Sequence, residues 1–156
     1  EAEWEYAARG GIQSGTYPWG GPSLRNNRGC LLANFKPGRG NYVDDGVTYT
    51  AKTYTFNPND FGLFNMAGNV AEWTASTFHE SASSFVGDLN PDYRYDAKDS
   101  DAQILKRKVV RGGSWKDVGY YLMNGTRAYE FQDSARSTIG FRCVMDFTGR
   151  DIRDIR

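Results

Sequence analysis

The stretch Asn59–Trp73, NDFGLFNMAGNVAEW, decides how the rest of the chain is read. It opens as a polar, glycine-containing turn and closes as a short strand over Val70–Thr74, where a β-branched residue and an aromatic fit a half-buried pleat. Asn65, Glu72 and the turn around Gly68 place one amide oxygen, one carboxylate and several backbone carbonyls within a few residues. Hard cations such as calcium favour that mixture of oxygen ligands. The plainer alternative is a glycine turn feeding a strand, with Glu72 exposed.

Working outward, Glu1–Arg9 reads as a helix, with Trp4, Ala7 and Ala8 on one face and Gly10-Gly11 as its stop. From there to Phe56 the chain is dominated by turn formers, SGTYPWGGPS, NNRG, KPGRGN and DDG. Only VTYTAKTYTF (Val47–Phe56) suits a strand in that region. A loop this long needs something other than ladder hydrogen bonds to order it, and bound cations are one such agent. Beyond the opening motif, Ser76–Lys106 is a polar insertion that reads as a surface excursion. KVVRGGSW (Lys108–Trp115) and STIGFRCVM (Ser137–Met145) read as core strands, and GRDIRDIR (Gly149–Arg156) as a charged tail.

The chain has 156 residues, enough for one domain with a substantial core. Nineteen basic and nineteen acidic side chains cancel, so no basic face offers itself to nucleic acid. The longest basic run, Lys106-Arg107-Lys108, reads as a solvated lead into a strand. Aromatics at 15% and eighteen glycines suggest large rings filling the space between irregular segments. No apolar run approaches the ~18 residues of a membrane span. The first residue is Glu rather than Met, as expected of a fragment that lacks its native start. Cys30 and Cys143 leave two readings open, a disulfide or free buried thiols.

The sequence is poor in catalytic arrangements. The single histidine, His79, sits beside Glu80 in the polar insertion and reads as a surface residue. No Ser/His/Asp or Cys/His spacing stands out, and no phosphate-cradling glycine motif is present.

Five segments, EAEWEYAARGG, YPWG, NDFGLFNMAGNVAEW, VVRGGSW and IGFRC, occur in an order and spacing that resembles the formylglycine-generating-enzyme-like (sulfatase-modifying-factor) domain. The resemblance implies an α+β, C-type-lectin-like fold with little regular secondary structure. The domain would run over residues 1–147, with its N-terminal part missing and residues 148–156 as a charged tail. Active members resemble copper-dependent oxidases that convert a sulfatase cysteine to formylglycine, using two cysteines shortly after GGS. Those positions fall here at Asp117 and Leu122. Carboxylate is a poor ligand for Cu(I) and leucine is none, so no copper and no catalysis are expected. Relatives that act as iron-dependent sulfoxide synthases carry their metal histidines in a domain this chain lacks.

The same resemblance implies structural calcium. One ligand set maps onto Asn65, Gly68, Val70 and Glu72, and a second onto Asn34, Phe35, Asp45 and Val47, with Gly68, Val70, Phe35 and Val47 contributing carbonyls. Of Arg111, Arg127 and Arg142, at least two are expected to be buried and hydrogen-bonded as structural anchors.

Lys106–Phe147 looks much like the gliding-motility and type IX secretion lipoproteins of Bacteroidetes. That likeness implies a non-catalytic scaffold in the periplasm. Such a protein would be held to the outer membrane by a lipid anchor upstream of Glu1, with protein partners in a ring-forming oligomer. The alternative is a lectin-like receptor presenting Lys116, Asp117, Tyr120 and Tyr121. A plainer reading packs those two tyrosines into the core.

Overall fold

The structure, a computed structural model, describes residues 1–145 except 88 and 90. The tail expected at 148–156 lies outside the described residues. One helix, α1 (Ala2–Arg9), stands against a four-stranded sheet of β1 (Ala71–Thr77), β2 (Arg107–Arg111), β3 (Ala128–Phe131) and β4 (Ile139–Gly140). The strand order is β3-β2-β1-β4, antiparallel except for the β1–β4 pair.

Helix α1 ends as its sequence dictates. Gly10 takes the left-handed conformation (φ 58°) and donates its N–H to the Ala7 carbonyl. The buried Asn59 finishes the job. Its amide nitrogen donates to the carbonyls of Ala7 and Ala8, and its amide oxygen accepts the N–H groups of Phe61 and Leu63. One side chain thereby caps a helix and closes the first turn of the Asn59–Trp73 motif.

Opposite residues on paired strands share a face of the sheet. Glu72 on β1 lies directly across from Arg111 on β2, and both engage α1. The Trp4 indole N–H donates to Glu72 at 2.8 Å, while the Arg111 guanidinium lies 5.4 Å from the Trp4 ring. Arg111, fully buried, also donates to the carboxylates of Glu1 and Glu5 and to the Asn124 carbonyl. Burial pulls its guanidinium down from the ordinary value, and the two glutamates oppose that shift. The guanidinium is buried while its two carboxylate partners are partly exposed, so it depends on both to offset its desolvation.

The hydrophobic core sits on the loops beside the sheet. Tyr17, Ala33, Phe35, Ala67 and Leu122 form its centre, and Trp19, Leu24, Leu31 and Met123 pack around them. Sharp glycine-rich turns let these rings converge without long elements.

Four expectations need correction. Val47–Phe56 is not a strand. Its backbone groups are taken by asparagine side chains: Asn34 donates to the Tyr49 carbonyl, Asn69 accepts the Ala51 N–H, and Asn65 donates to the Thr53 carbonyl. Ser137–Met145 contributes only the two-residue β4, and Phe141, Val144 and Met145 are exposed. Lys106 and Arg107 are buried rather than solvated. Lys106 donates to the Asp99 carbonyl, and the Arg107 guanidinium packs against the rings of Phe78 and Tyr129, which contact each other. Of the three arginines, Arg111 alone is fully buried, while Arg127 and Arg142 are half-buried. All three nonetheless bond carboxylates.

Among the described glycines, Gly68 leaves the least room for a side chain against a neighbouring backbone. At φ 76°, a Cβ would be driven into the carbonyl oxygen of Asn34. We expect Gly68→Ala to destabilise the protein by about 3 kcal/mol or more, combining left-handed strain with a backbone clash, read from urea unfolding midpoints.

Candidate functional site

The loop Gly112–Leu122 leaves the buried end of β2 and is fixed from three sides. Gly68 donates its N–H to the Gly112 carbonyl, Trp115 donates to the Asn69 carbonyl, and Lys36 donates to the Asp117 carbonyl. Gly113, at φ 66°, lies so near the Tyr121 backbone that a side chain would press on it.

Asp117 acts inside this loop as an acceptor. Its Oδ2 takes both the N–H of Ser114 (2.9 Å) and the Ser114 hydroxyl (2.6 Å). Ser114 is fully buried, so the carboxylate satisfies two donors that water cannot reach. A 3₁₀ turn, Gly119–Leu122, follows, and Leu122 drops into the hydrophobic core at 1% exposure. One of the two positions of interest is thus a turn acceptor, and the other is packing.

A cleft of about 230 Å³ opens beside the loop, lined by Gly112, Gly113, Asp117, Tyr121, Tyr129 and Ile139. Its groups offer hydrogen bonds and ring faces. Tyr120 and Tyr121 stack edge-on at 5.4 Å and are exposed, which corrects the reading that buried them in the core. Val118 beside them is exposed as well. Cys30 and Cys143 are both free and exposed, so they form neither a disulfide nor a buried pair. His79 is a surface residue whose Nδ1 accepts the Ser81 N–H.

The two oxygen sets differ in what their carboxylates do. Glu72 is buried, and its oxygens accept two hydrogen bonds from Arg142 and one from Trp4. A carboxylate has about four lone-pair positions, so one remains for another partner. Asn65, at φ 53°, and Gly68 frame the turn before it. In the second set, Asp45 bridges the N–H groups of Phe35 and Val47, each at 3.0 Å, drawing that short loop together. Asn34 spends its amide nitrogen on the Tyr49 carbonyl and on Asn69. Among the described residues no group of three or more His, Cys, Asp or Glu side chains is placed to hold a metal. Any cation here would rest on one carboxylate of each set together with amide and backbone oxygens.

Asn69 is the residue that sequence reasoning missed. Its amide oxygen accepts from Ala51 and Asn34, and its backbone bonds Asn34 and Trp115, so it joins four segments. Its left-handed φ of 67°, which asparagine tolerates, was legible in the AGNV turn.

The family model described as the sulfatase-modifying factor enzyme 1-like domain matches residues 1–147. The chain belongs to this family. It is 36% identical over 154 residues to a mouse formylglycine-generating enzyme, covering 94% of this chain and 38% of that protein. It is 35% identical over 150 residues to the inactive Cα-formylglycine-generating enzyme 2 of Bos taurus, covering 92% and 42%. The solved structure of PvdO from Pseudomonas aeruginosa shares the fold, with a TM-score of 0.69 at 26% identity over 90% of this chain and 48% of that one. The chain therefore spans less than half the length of these relatives. Its relatives include proteins named as formylglycine-generating enzymes and others named as inactive. The α+β fold with little regular structure is as the resemblance implied.

Proposed function

We propose that this chain is a non-catalytic member of its family and works by binding other molecules. The observation that carries the reading is the pair Asp117 and Leu122. At the positions where the resemblance puts the reactive cysteines, one side chain is consumed in holding Ser114 and the other is buried in the core. Neither supplies the soft thiolate that Cu(I) selects. In its place the loop presents Val118, Tyr120 and Tyr121 to solvent, and tyrosines are favoured anchors of binding surfaces.

The finer part of the proposal is a scaffold role in a type IX secretion or gliding machine, in the periplasm at the outer membrane, with protein partners in a ring. Its support is the likeness of Lys106–Phe147 to that lipoprotein group. The exposed tyrosines equally favour a lectin-like receptor, in which the same loop holds a ligand.

Calcium is proposed as a structural partner. The second set suits it: Asp45 supplies the charge, and Asn34, Phe35 and Val47 supply neutral oxygens on a loop already drawn together. At the first set, Glu72 has one lone-pair position left and faces the positive charge of Arg142, so we assign it the weaker affinity. A bound cation would pin irregular backbone and supply no catalysis.

Catalysis is tested by adding Cu(I) and a cysteine-containing sulfatase peptide and following oxygen uptake. The parent protein is expected to show no peptide-dependent uptake. Uptake that depends on both copper and the peptide thiol would overturn the proposal.

Calcium is tested by melting the protein with calcium and with chelator. We expect a higher melting temperature in calcium, and an Asp45→Asn variant in which most of that difference is gone. Equal melting of the parent in both conditions would remove calcium from the account.

A further inference from the structure

Outside the cleft and the two oxygen sets, a second cavity of about 230 Å³ lies between the Lys36–Thr48 loop and the start of the Gly112–Leu122 loop. It is lined by Lys36, Tyr42, Thr48, Trp115 and Lys116. The two lysines reach it from segments far apart in sequence. They are brought together by one backbone hydrogen bond, from the Lys36 N–H to the Asp117 carbonyl at 2.9 Å.

The walls are built in detail. Trp115 is anchored through its backbone N–H on Asn69, and its indole takes the Tyr49 ring edge-on at 5.1 Å and 89°. Tyr49 is itself fixed, since its carbonyl accepts the Asn34 amide. The Lys36 ammonium sits 4.9 Å from the centre of the Tyr42 ring, which orients the charge without neutralising it. Neither Lys36 nor Lys116 has a carboxylate partner among the described residues; Asp44 pairs with Arg25, and Asp45 accepts the N–H groups of Phe35 and Val47. Two ammonium groups, two aromatic rings and the Thr48 hydroxyl thus surround one small space.

We propose that this cavity binds an acidic sugar, a single uronic-acid-type ring carrying its carboxylate to Lys36 and Lys116. Each feature selects one part of that ligand. Unpaired ammonium groups select an anion, because each carboxylate contact is a charge-assisted hydrogen bond. The flat rings of Trp115 and Tyr42 select a ring with an apolar face, and Thr48 offers a partner to a sugar hydroxyl. The volume is below the 300 Å³ or so at which drug-sized ligands fit, which limits the occupant to about one ring. An acidic peptide would satisfy the lysines but would bring no flat face to the indole. The inference is independent of whether Asp117 and Leu122 have ended catalysis nearby.

The test uses the full chain and a galacturonic acid trimer, titrated while following tryptophan fluorescence. A neutral galactose trimer and an oligoglutamate peptide serve as comparisons. Saturable binding of the uronate trimer is expected, with the neutral trimer weaker by about tenfold or more, the equivalent of one charge-assisted hydrogen bond. The Lys36→Gln/Lys116→Gln double variant should lose at least about tenfold in uronate affinity, since two such bonds go, while its melting temperature stays put because neither ammonium pairs with a carboxylate. In a Trp115→Phe variant the fluorescence response should vanish. Absence of uronate binding, equal binding of the neutral trimer, or tighter binding of the peptide would each overturn the assignment, the last in favour of a protein-docking site. An unchanged affinity in the double lysine variant would overturn it too, by moving the binding elsewhere.

Discussion

The backbone of Asn34 lies against Gly68 with no room for a side chain between them, and the rest of the molecule is arranged around that contact. It holds because Asn69 donates its N–H to the Asn34 carbonyl while the Asn34 amide donates to Asn69 and to Tyr49. The next residue along each path continues the chain of bonds: Gly68 to Gly112, Asn69 to Trp115, Ala51 to Asn69. Side-chain amides therefore do here what strand ladders do in a regular sheet. Buried backbone groups must be paired somewhere, and in a chain this irregular the asparagines supply the partners.

A second constraint orients the helix. Glu72 and Arg111 face each other across β1 and β2, and Trp4 is held by both, through its N–H and its ring. Charged groups in such a place are costly unless fully paired. Here Glu1 and Glu5 pair with Arg111, and Arg142 pairs with Glu72, which leaves the buried Arg111 Nε as the one nitrogen of that guanidinium without a partner among the described residues. The same arrangement that seats the helix also occupies most of the Glu72 carboxylate, which is why the first oxygen set is the less generous of the two.

Much of this was legible in the residues. The helix and its glycine stop, the strand read at Val70–Thr74 and found at Ala71–Thr77, and the β-branched run before Gly112 follow from periodicity and turn chemistry. Val47–Phe56 misled because alternating Thr and Tyr satisfy a strand pattern, while the side-chain amides that capture its backbone come from Asn34, Asn65 and Asn69. Pattern reading has no means of seeing those distant partners. The burial of Lys106 and Arg107 was hidden for a similar reason: the paired rings of Phe78 and Tyr129 cover the Arg107 guanidinium, and a carbonyl from the polar insertion accepts from Lys106. In the candidate site, the identities of residues 117 and 122 could be read directly. Their roles, an acceptor for the buried Ser114 and a core side chain, needed the geometry, and so did the exposure of Tyr120 and Tyr121.

If asparagine bonds replace ladders, the loops should be as hard to open as the sheet. Native-state hydrogen exchange reads this directly. The account predicts that the N–H groups of Ala51, Asn69 and Trp115 exchange only through the same global opening that exposes Val109 and Val110 on β2. Exchange of those loop amides through a separate, low-energy opening, with the sheet still protected, would contradict it.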